Sequence, residues 1–518
     1  MSRLNVTLEE KEMEKEKDED KEKEKEKEKK KERCPAAATA NETPHSLSQR
    51  LNLEPSIMAL DTSPSPSSNG ANLLSLPWEI VTQIASHLPA QCVIDVLPQV
   101  CQTLGKVGED RLMWQLRAQK LSGPKALFPV GPKEDFDWSQ ACLEMEQLIG
   151  CWTGLENRGE GERQEEAVVG VNGEVPSAER NLEEMQLDVD LNGAAEAGDE
   201  NMQVQSQNAP DSLNLIESSS TSSPLEHIIL PSGHIADVNC VLLLGGTGAL
   251  CASGSRDRNV NLWDLRDGSR GTLMHTLAGR GTISTHRGWV WCLASSGPLL
   301  ASGSFDSTVR LWDLEAGGAE RGLIQCKAAV LCLSCERDTV LAGSHDQRLN
   351  IFDTRAADPL VQSLHLHSDA VLCLVSDDQY ILSGSKDKTV ALFDRRAGKL
   401  LQKVQLSTYL LSLCHSGREV WAGDNRGLVH TFSLHNSCLT PISHFNIHRS
   451  LVTGVHSSPG TLYTCSSDRT IKIHLPCAPP QTLCTLHHQA GVNGLSVEGG
   501  TLAIASGDMN VEVWRLRD

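Results

Sequence analysis

The sequence is poor in apolar residues, which fill 39% of 518 positions, low for a globular chain. Part of the length is therefore expected to be tail and linker. No apolar run reaches the roughly 18 residues that a membrane span requires. The opening stretch, "MSRLNVTLEEKEMEKEK", is charged where a secretory signal would be apolar. Net positive charge is lacking as well. The formal charge is −20, which argues against a large nucleic-acid or anionic-membrane footprint. The expectation is a soluble intracellular protein of the cytoplasm, the nucleus or both. Seventeen cysteines are present, yet no second CxxC pair matches Cys332 and Cys335. Residues three apart in a strand point to opposite faces, so this pair reads as core packing, and buried thiols in a reducing compartment behave as small hydrophobes. No nucleophile–base or phosphate-loop constellation stands out either. "GGTG" (245–248) is followed by neither a helix nor a Lys. A non-catalytic protein is expected, with no cofactor and no metal.

What is present falls into five parts. Residues 1–71 form a tail: Glu9 to Arg33 is charged everywhere except Met13, and a Pro/Ser/Ala/Asn-rich stretch comes after it. Both read as disordered. Residues 155–224 form an acidic linker, in which roughly sixteen acids face three arginines. Between them, residues 72–117 and 118–154 have helical periodicity. Ser75 is placed to cap a first helix, with Pro77 and Glu79 in its first turn. Ile80, Ile84 and Leu88 line one face at four-residue spacing, and Pro89 is placed to end the helix. A second helix fits "QCVIDVL" before Pro98, and a third fits "QVCQTLGKVGEDRLMW". "DFDWSQACLEMEQLIGCW" (135–152) reads as one more helix, joining this small unit to the C-terminal part of the chain.

From 225 to 518 the chain repeats itself. "SGSRDRNVNLWDL" (253–265) returns as "SGSFDSTVRLWDL" (302–314), "AGSHDQRLNIFDT" (342–354) and "SGSKDKTVALFDR" (383–395), then in three weaker copies. Anchors fall at Asp257, Asp306, Asp346, Asp387, Arg426, Asp468 and Asp508. After a first gap of 49 the period is close to 40. Apolar residues at +3 and +5 from each anchor mark a strand with one buried face. A second strand opens sixteen residues before six of the anchors. Four residues earlier again stand His234, His286, His367, His448 and His488, with Cys326 and Leu406 in the other two places.

These positions resemble the WD repeat, and seven copies imply an all-β seven-bladed β-propeller. The resemblance implies a hydrogen-bonded set in each blade. Blade two would use His286, Asp306, Ser302 or Ser304, and Trp312. Trp263 and Trp514 would complete blades one and seven. Structural use of the regularly spaced histidines is favoured over metal ligation, because one per blade keeps them apart around a ring. Blade five, with Leu406 and Arg426, is expected to lack its set and to be the softest. "LEHIIL" (225–230) is expected to supply the missing outer strand of the last blade, closing the ring and hiding its edge.

The helical unit at 72–117 resembles the F-box through Leu76, Pro77, Glu79, Ile80, Val100, Cys101 and Trp114. The whole order resembles the F-box/WD-repeat family. That resemblance implies a substrate receptor of an SCF-type (Skp1–cullin–F-box) ubiquitin ligase. Leu76 to Trp114, with Ile84 and Leu88, would dock on the Skp1 adaptor and through it on a cullin-RING ligase. The propeller would bind an unknown protein target. Family geometry places target contacts on the upper face, here Asn239, Arg256, Trp291, Phe305, His345 and Lys386, with Trp289 and Tyr409 adjoining. These suggest a mixed apolar–basic pocket over blades one to four rather than a reader of several phosphates. Two other readings stand beside it. "WDLR" (Trp263 to Arg266) resembles the WDxR signature of receptors for a cullin-4/DDB-one ligase, and a WD scaffold without a ligase role is the third.

Overall fold

A computed structural model describes residue 73, residues 76–153, and residues 225–517 except 232, 267–270 and 279–284. Ser75, the charged tail and the acidic linker lie outside the described residues. The repeats form seven four-stranded antiparallel sheets. Each blade runs from an inner to an outer strand, and blade two, for example, comprises Val290–Ser296, Leu299–Ser304, Thr308–Asp313 and Ala319–Gln325. Its two middle strands are buried almost throughout. The outer strand alternates between exposed positions and half-buried or buried ones, as one side faces solvent.

Blade seven is closed by the segment that precedes blade one. Leu225–Ile229 pairs antiparallel with Val511–Leu516, with Ile228 opposite Val513. Leu225, Ile228 and Leu230 are all buried. Ile228 and Leu230 share one core with Val511 and Val513 of blade seven and Val238 and Trp263 of blade one. The two ends of the propeller thus hold each other.

In every blade the inner strand slips register after its first residue. The residue left out of register is Asn239, Trp291, Leu331, Leu372, Leu411, Thr453 or Asn493. A bulge of this kind re-aims its side chain. Three of the seven reach the next blade. The Asn239 amide donates to Val290 O at 2.8 Å, Thr453 Oγ1 to Val492 O at 2.6 Å, and Asn493 to Val238 O at 2.8 Å.

The helical unit is more broken than its periodicity implies. Helix α1 (Trp78–Ala85) starts on Pro77 with no side-chain cap. It stops a turn before Pro89, at Ser86. The second segment is a π-turn at Cys92–Val96 that runs into α2 (Leu97–Val100), with Pro98 in its first turn. The expected third helix is three pieces: α3 (Gln102–Gly105), a 3₁₀ turn at Lys106–Glu109, and α4 (Arg111–Ser122). The breaks have local causes. Cys101 is extended and caps α3 through its sulfur, and Asp110 caps α4, accepting from Leu112 N at 2.9 Å. Asp110 caps strongly only outside a helix.

Helix α5 (Trp138–Trp152), capped by Asp137, joins this unit to the propeller. Trp152 meets Tyr463 edge-on at 6.4 Å and lies 6.1 Å from Trp514. Glu144 accepts from Gly460 N at 2.8 Å and Ser458 Oγ at 2.5 Å. A Cβ on Gly460 would lie 2.4 Å from Ala141 O, so this approach requires glycine. On the other side of α5, Glu146 pairs with Arg117 of α4 at 2.5 Å and accepts from Ala90 N at 2.7 Å. Leu127 and Ala478 exchange two backbone bonds.

Candidate functional site

Within the blades, four histidines form the expected set. His286 Nδ1 lies 3.1 Å from Asp306, its Nε2 lies 2.8 Å from Ser302 Oγ, and Trp312 Nε1 donates to that same oxygen at 3.0 Å. Ser302 is therefore the shared hydroxyl, while Ser304 accepts from Asp306 N. Blade one repeats this with His234, Asp257, Ser253 and Trp263. In blade four, His367 meets Ser383 at 2.8 Å and Asp387 at 3.4 Å, with Phe393 in the Trp place. In blade six, His448 joins Asp468 and Thr464, and His474 takes the Trp place at 3.1 Å from Thr464. Burial alone would raise the Asp306 carboxyl. Hydrogen bonds from His286 and Thr308 outweigh it and hold the group well below the usual range. Each histidine is spent within its own blade.

The other three blades have Ala342, Ala422 or Ile504 where that hydroxyl would stand. Without the acceptor, a buried histidine leaves one ring nitrogen unpaired, so the set is lost as a unit. Blade three fills the space with Cys326 and Phe352, both buried, and Asp346 accepts from Ser344 instead, at 2.5 Å. Blade seven keeps His488, but not with Asp508. His488 Nδ1 faces Glu512 at 3.2 Å, and Glu512 also faces His227 of the closing strand at 2.8 Å. Trp514 stacks on His227 at 4.1 Å rather than bonding a hydroxyl.

Blade five corrects the sequence reading. It does hold a buried carboxylate–imidazole set, with the carboxylate two residues before the expected place. Asp424, fully buried, lies 3.0 Å from His430 Nε2 and accepts from Thr408 Oγ1 at 2.7 Å. It also accepts from the backbone of Arg426 and Leu428, each at 2.8 Å. Burial would raise its pKa, and these bonds lower it instead. The signal was present in sequence as "STY" and "DNRGLVH", displaced from the repeat pattern.

On the helical unit, three stretches each show solvent an apolar pair at four-residue spacing. They are Ile80 and Ile84 on α1 (42% and 40% exposed), Val96 and Val100, and Leu112 and Leu116 on α4. Leu76 and Trp78 are exposed beside the first pair, and Glu79 is exposed too. Val81 and Ala85 face inward instead. Leu88 and Cys101 are half-buried against the core. Trp114 is 2% exposed, and its Nε1 donates to Gly108 O at 2.8 Å. It supports the unit from within and has no surface to offer an adaptor.

On the propeller's upper end the structure joins four of the expected contacts into one row. The Arg256 guanidinium stands over the Trp289 ring at 5.3 Å, Trp289 lies 5.7 Å from Phe305, and Trp291 meets Phe305 edge-on at 5.3 Å. Trp289 is 43% exposed. Arg256 also pairs with Asp237 at 3.1 Å and donates to Asn239. Asn239 is thereby engaged twice, as a bridge between blades rather than a free contact. His345 and Lys386 are exposed on blades three and four. Tyr409 is half-buried on blade five, where burial raises its pKa against a hydrogen bond from Asn425. At the opposite end, Arg266 folds back on Asp264 at 2.7 Å and Arg355 on Asp353 at 3.0 Å. Both arginines of these WDxR-like turns have a carboxylate of their own loop.

A closed ring of seven four-stranded blades with this histidine–hydroxyl–aspartate set is a WD-repeat β-propeller. The "WD domain, G-beta repeat" family matches residues 225–264, 279–313, 358–394 and 439–474. Those are blades one, two, four and six, the four that keep the set. The chain is 40% identical over 450 residues to F-box/WD repeat-containing protein 9 of Bos taurus, covering 86% of this chain and 83% of that one. It is 37% identical over 449 residues to the protein of the same name from Homo sapiens, with the same shares. Among solved structures, that of U3-55K superposes with a TM-score of 0.51 at 17% identity, over 56% of this chain and 98% of that one, which bears on the fold alone. The chain belongs to the F-box/WD-repeat protein family.

Proposed function

We propose that this chain is the non-catalytic substrate-recognition subunit of an SCF-type ubiquitin ligase. Its F-box docks on Skp1 and thereby on a cullin, while its propeller holds the target protein. The supporting observation is the trio of exposed apolar pairs on the helical unit. A unit this small gains from burying such a surface on a partner. The mechanism is positional. A rigid joint through α5 fixes the adaptor surface relative to the propeller, so a bound target's lysines are held near the charged ubiquitin carrier at high effective concentration. No residue of this chain forms a covalent bond in that scheme.

The test is copurification of Skp1 with the full chain and with the double variant Ile80→Glu/Ile84→Glu. Both positions are exposed, so thermal melting of the variant should match the parent. Loss of Skp1 with melting unchanged is the expected result. Skp1 retained at parental level would overturn the adaptor assignment. Recovery of DDB-one with both proteins would favour the cullin-4 reading.

A further inference from the structure

We infer that the propeller's upper face takes an acidic, unphosphorylated peptide segment that carries an apolar side chain. This rests on the reading of that face as the target site. The family positions supply only Arg256 and Lys386 as strong cations there. On blades one to four the structure adds four more outside those positions. Arg258 and Lys388 come directly after the anchor Asp in the turns of blades one and four, in the left-handed region at φ 72° and 63°. Arg287 and Lys327 come directly after the His or Cys position of blades two and three. Arg258 O accepts from His286 N at 2.9 Å, which sets Arg258 beside Arg287. Cys326 N bonds Ser307 O at 2.8 Å, which brings Lys327 to the turn of blade two.

Four carboxylates of the same end are occupied elsewhere, while Asp369, beside the Lys386 turn, accepts from the backbone N–H of Ala370. Asp257, Asp306 and Asp387 turn toward the histidines of their blades, and Asp237 is taken by Arg256. Among the described residues, Arg258, Arg287, Lys327, Lys386 and Lys388 have no ion-pair partner. Outward cations over inward carboxylates make a basic face on a chain whose formal charge is −20. Such a face selects and steers anionic partners.

Two observations narrow the partner. On blades one to four the free cations are spread one or two to a loop. A phosphate favours converging donors that bind it bidentately. Separate cations match separate Asp and Glu side chains. The apolar requirement comes from Trp289 and from Ile235, which is 85% exposed in the adjoining loop. Aromatic and Arg groups of this kind anchor protein interfaces.

The test uses the full-length chain and fluorescence anisotropy with four labelled peptides. All share a central Leu. Their flanks are Asp/Glu, Ser/Gln, Lys/Arg, or Ser/Gln with two phosphoserines. The acidic peptide should bind about tenfold or more tighter than the neutral one, and the preference should shrink as salt rises through about 0.3 M. The triple variant Arg287→Glu/Lys327→Glu/Lys386→Glu should abolish that preference. Arg337→Glu, at the opposite end, should leave it intact. Equal binding of neutral and acidic peptides, still lost in Trp289→Ala, would overturn the charge inference and keep the upper face as the site. A phosphoserine peptide that outcompetes the acidic one would overturn the choice of carboxylates. Binding indifferent to both Trp289→Ala and the triple variant, or no binding of the acidic peptide, would overturn the upper-face reading as well.

Discussion

Truncation of one side chain in the closing strand measures how much the ring depends on it. Ile228 is buried in the core shared by blades seven and one, opposite Val513. Its neighbour Ile229 belongs to the same strand but is 54% exposed. Ile228→Ala removes buried methyl groups and leaves a cavity between two blades, at a cost of about 2–5 kcal/mol. Ile229→Ala removes little buried area and should stay within about 0.5 kcal/mol. The assay is urea unfolding of the full chain, monitored by tryptophan fluorescence. With a slope of about 3 kcal/mol/M, a loss of about 3 kcal/mol lowers the midpoint by about 1 M. Truncating Leu225, Ile228 and Leu230 together should approach the whole stability of a typical domain, about 5–15 kcal/mol. Equal effects of Ile228→Ala and Ile229→Ala, or two negligible ones, would show that the ring does not close through this core.

Four further outcomes are expected. Asp424→Asn should destabilise by about 2–4 kcal/mol in the same assay, because four donors lose a buried anion. Asp508→Asn should cost less than about 1 kcal/mol, since among the described residues that carboxylate accepts from Asn510 N alone, at 3.2 Å. Burial alone would raise the Glu512 pKa, but hydrogen bonds from His227 and His488 take it down to about 2 from an ordinary 4.5. A depressed carboxyl stabilises the fold above its unfolded pKa and loses that contribution as pH falls through its folded one. Glu512→Gln should therefore cost up to about 3 kcal/mol near neutrality, with the gap from the parent closing between about pH 4.5 and 2. Among the described cysteines, Cys438 is the exposed one. Burial pushes the thiols of Cys240 and Cys332 up to about 12. Brief native alkylation and peptide mapping should mark Cys438 first, and early labelling of Cys332 would contradict that burial.

The repeat was legible because its signal is geometric. An apolar residue at +3 and +5 from a turn Asp specifies a strand, and a fixed offset to the next strand specifies a hairpin, whatever fills the rest. Seven copies came from that spacing, and the reading of them as blades closed by residues 225–230 came from their resemblance to the WD repeat. The polar sets were less legible, because they obey a local condition rather than a position in the repeat. A buried imidazole needs acceptors or donors at both nitrogens. The pattern showed His488, but only the identity of residue 504, Ile instead of Ser, decides that it must look elsewhere, and it finds Glu512. In blade five the anchor was Arg, and the carboxylate moved two residues back to Asp424. The chemistry is the same in kind and displaced in place.

The helical unit shows the opposite balance. Its apolar ladder named Ile80, Ile84 and Leu88 as one face but could not say whether that face points in or out, since an amphipathic stripe has the same period in either case; Ile80 and Ile84 are exposed, and Leu88 packs half-buried against the core. What decides it is the companion stripe. Val81 and Ala85 are buried, so α1 already has an inward face, and the bulkier pair is left outside. Trp114 failed for the converse reason. A large aromatic near the end of a short unit fits equally well as a contact or as a core, and the Gly108 carbonyl that accepts its N–H is supplied by a 3₁₀ turn that periodicity does not reveal. The upper face obeys the same rule. Arg258, Arg287, Lys327 and Lys388 are ordinary turn residues in sequence, and they become a surface only because the ring brings four blades' loops to one end while the histidines draw the carboxylates inward. On blades one, two and four the charge that a partner would meet is thus shaped by the structural sets beneath it, whereas blade three, which has no histidine set, adds Lys327 beside the buried Cys326.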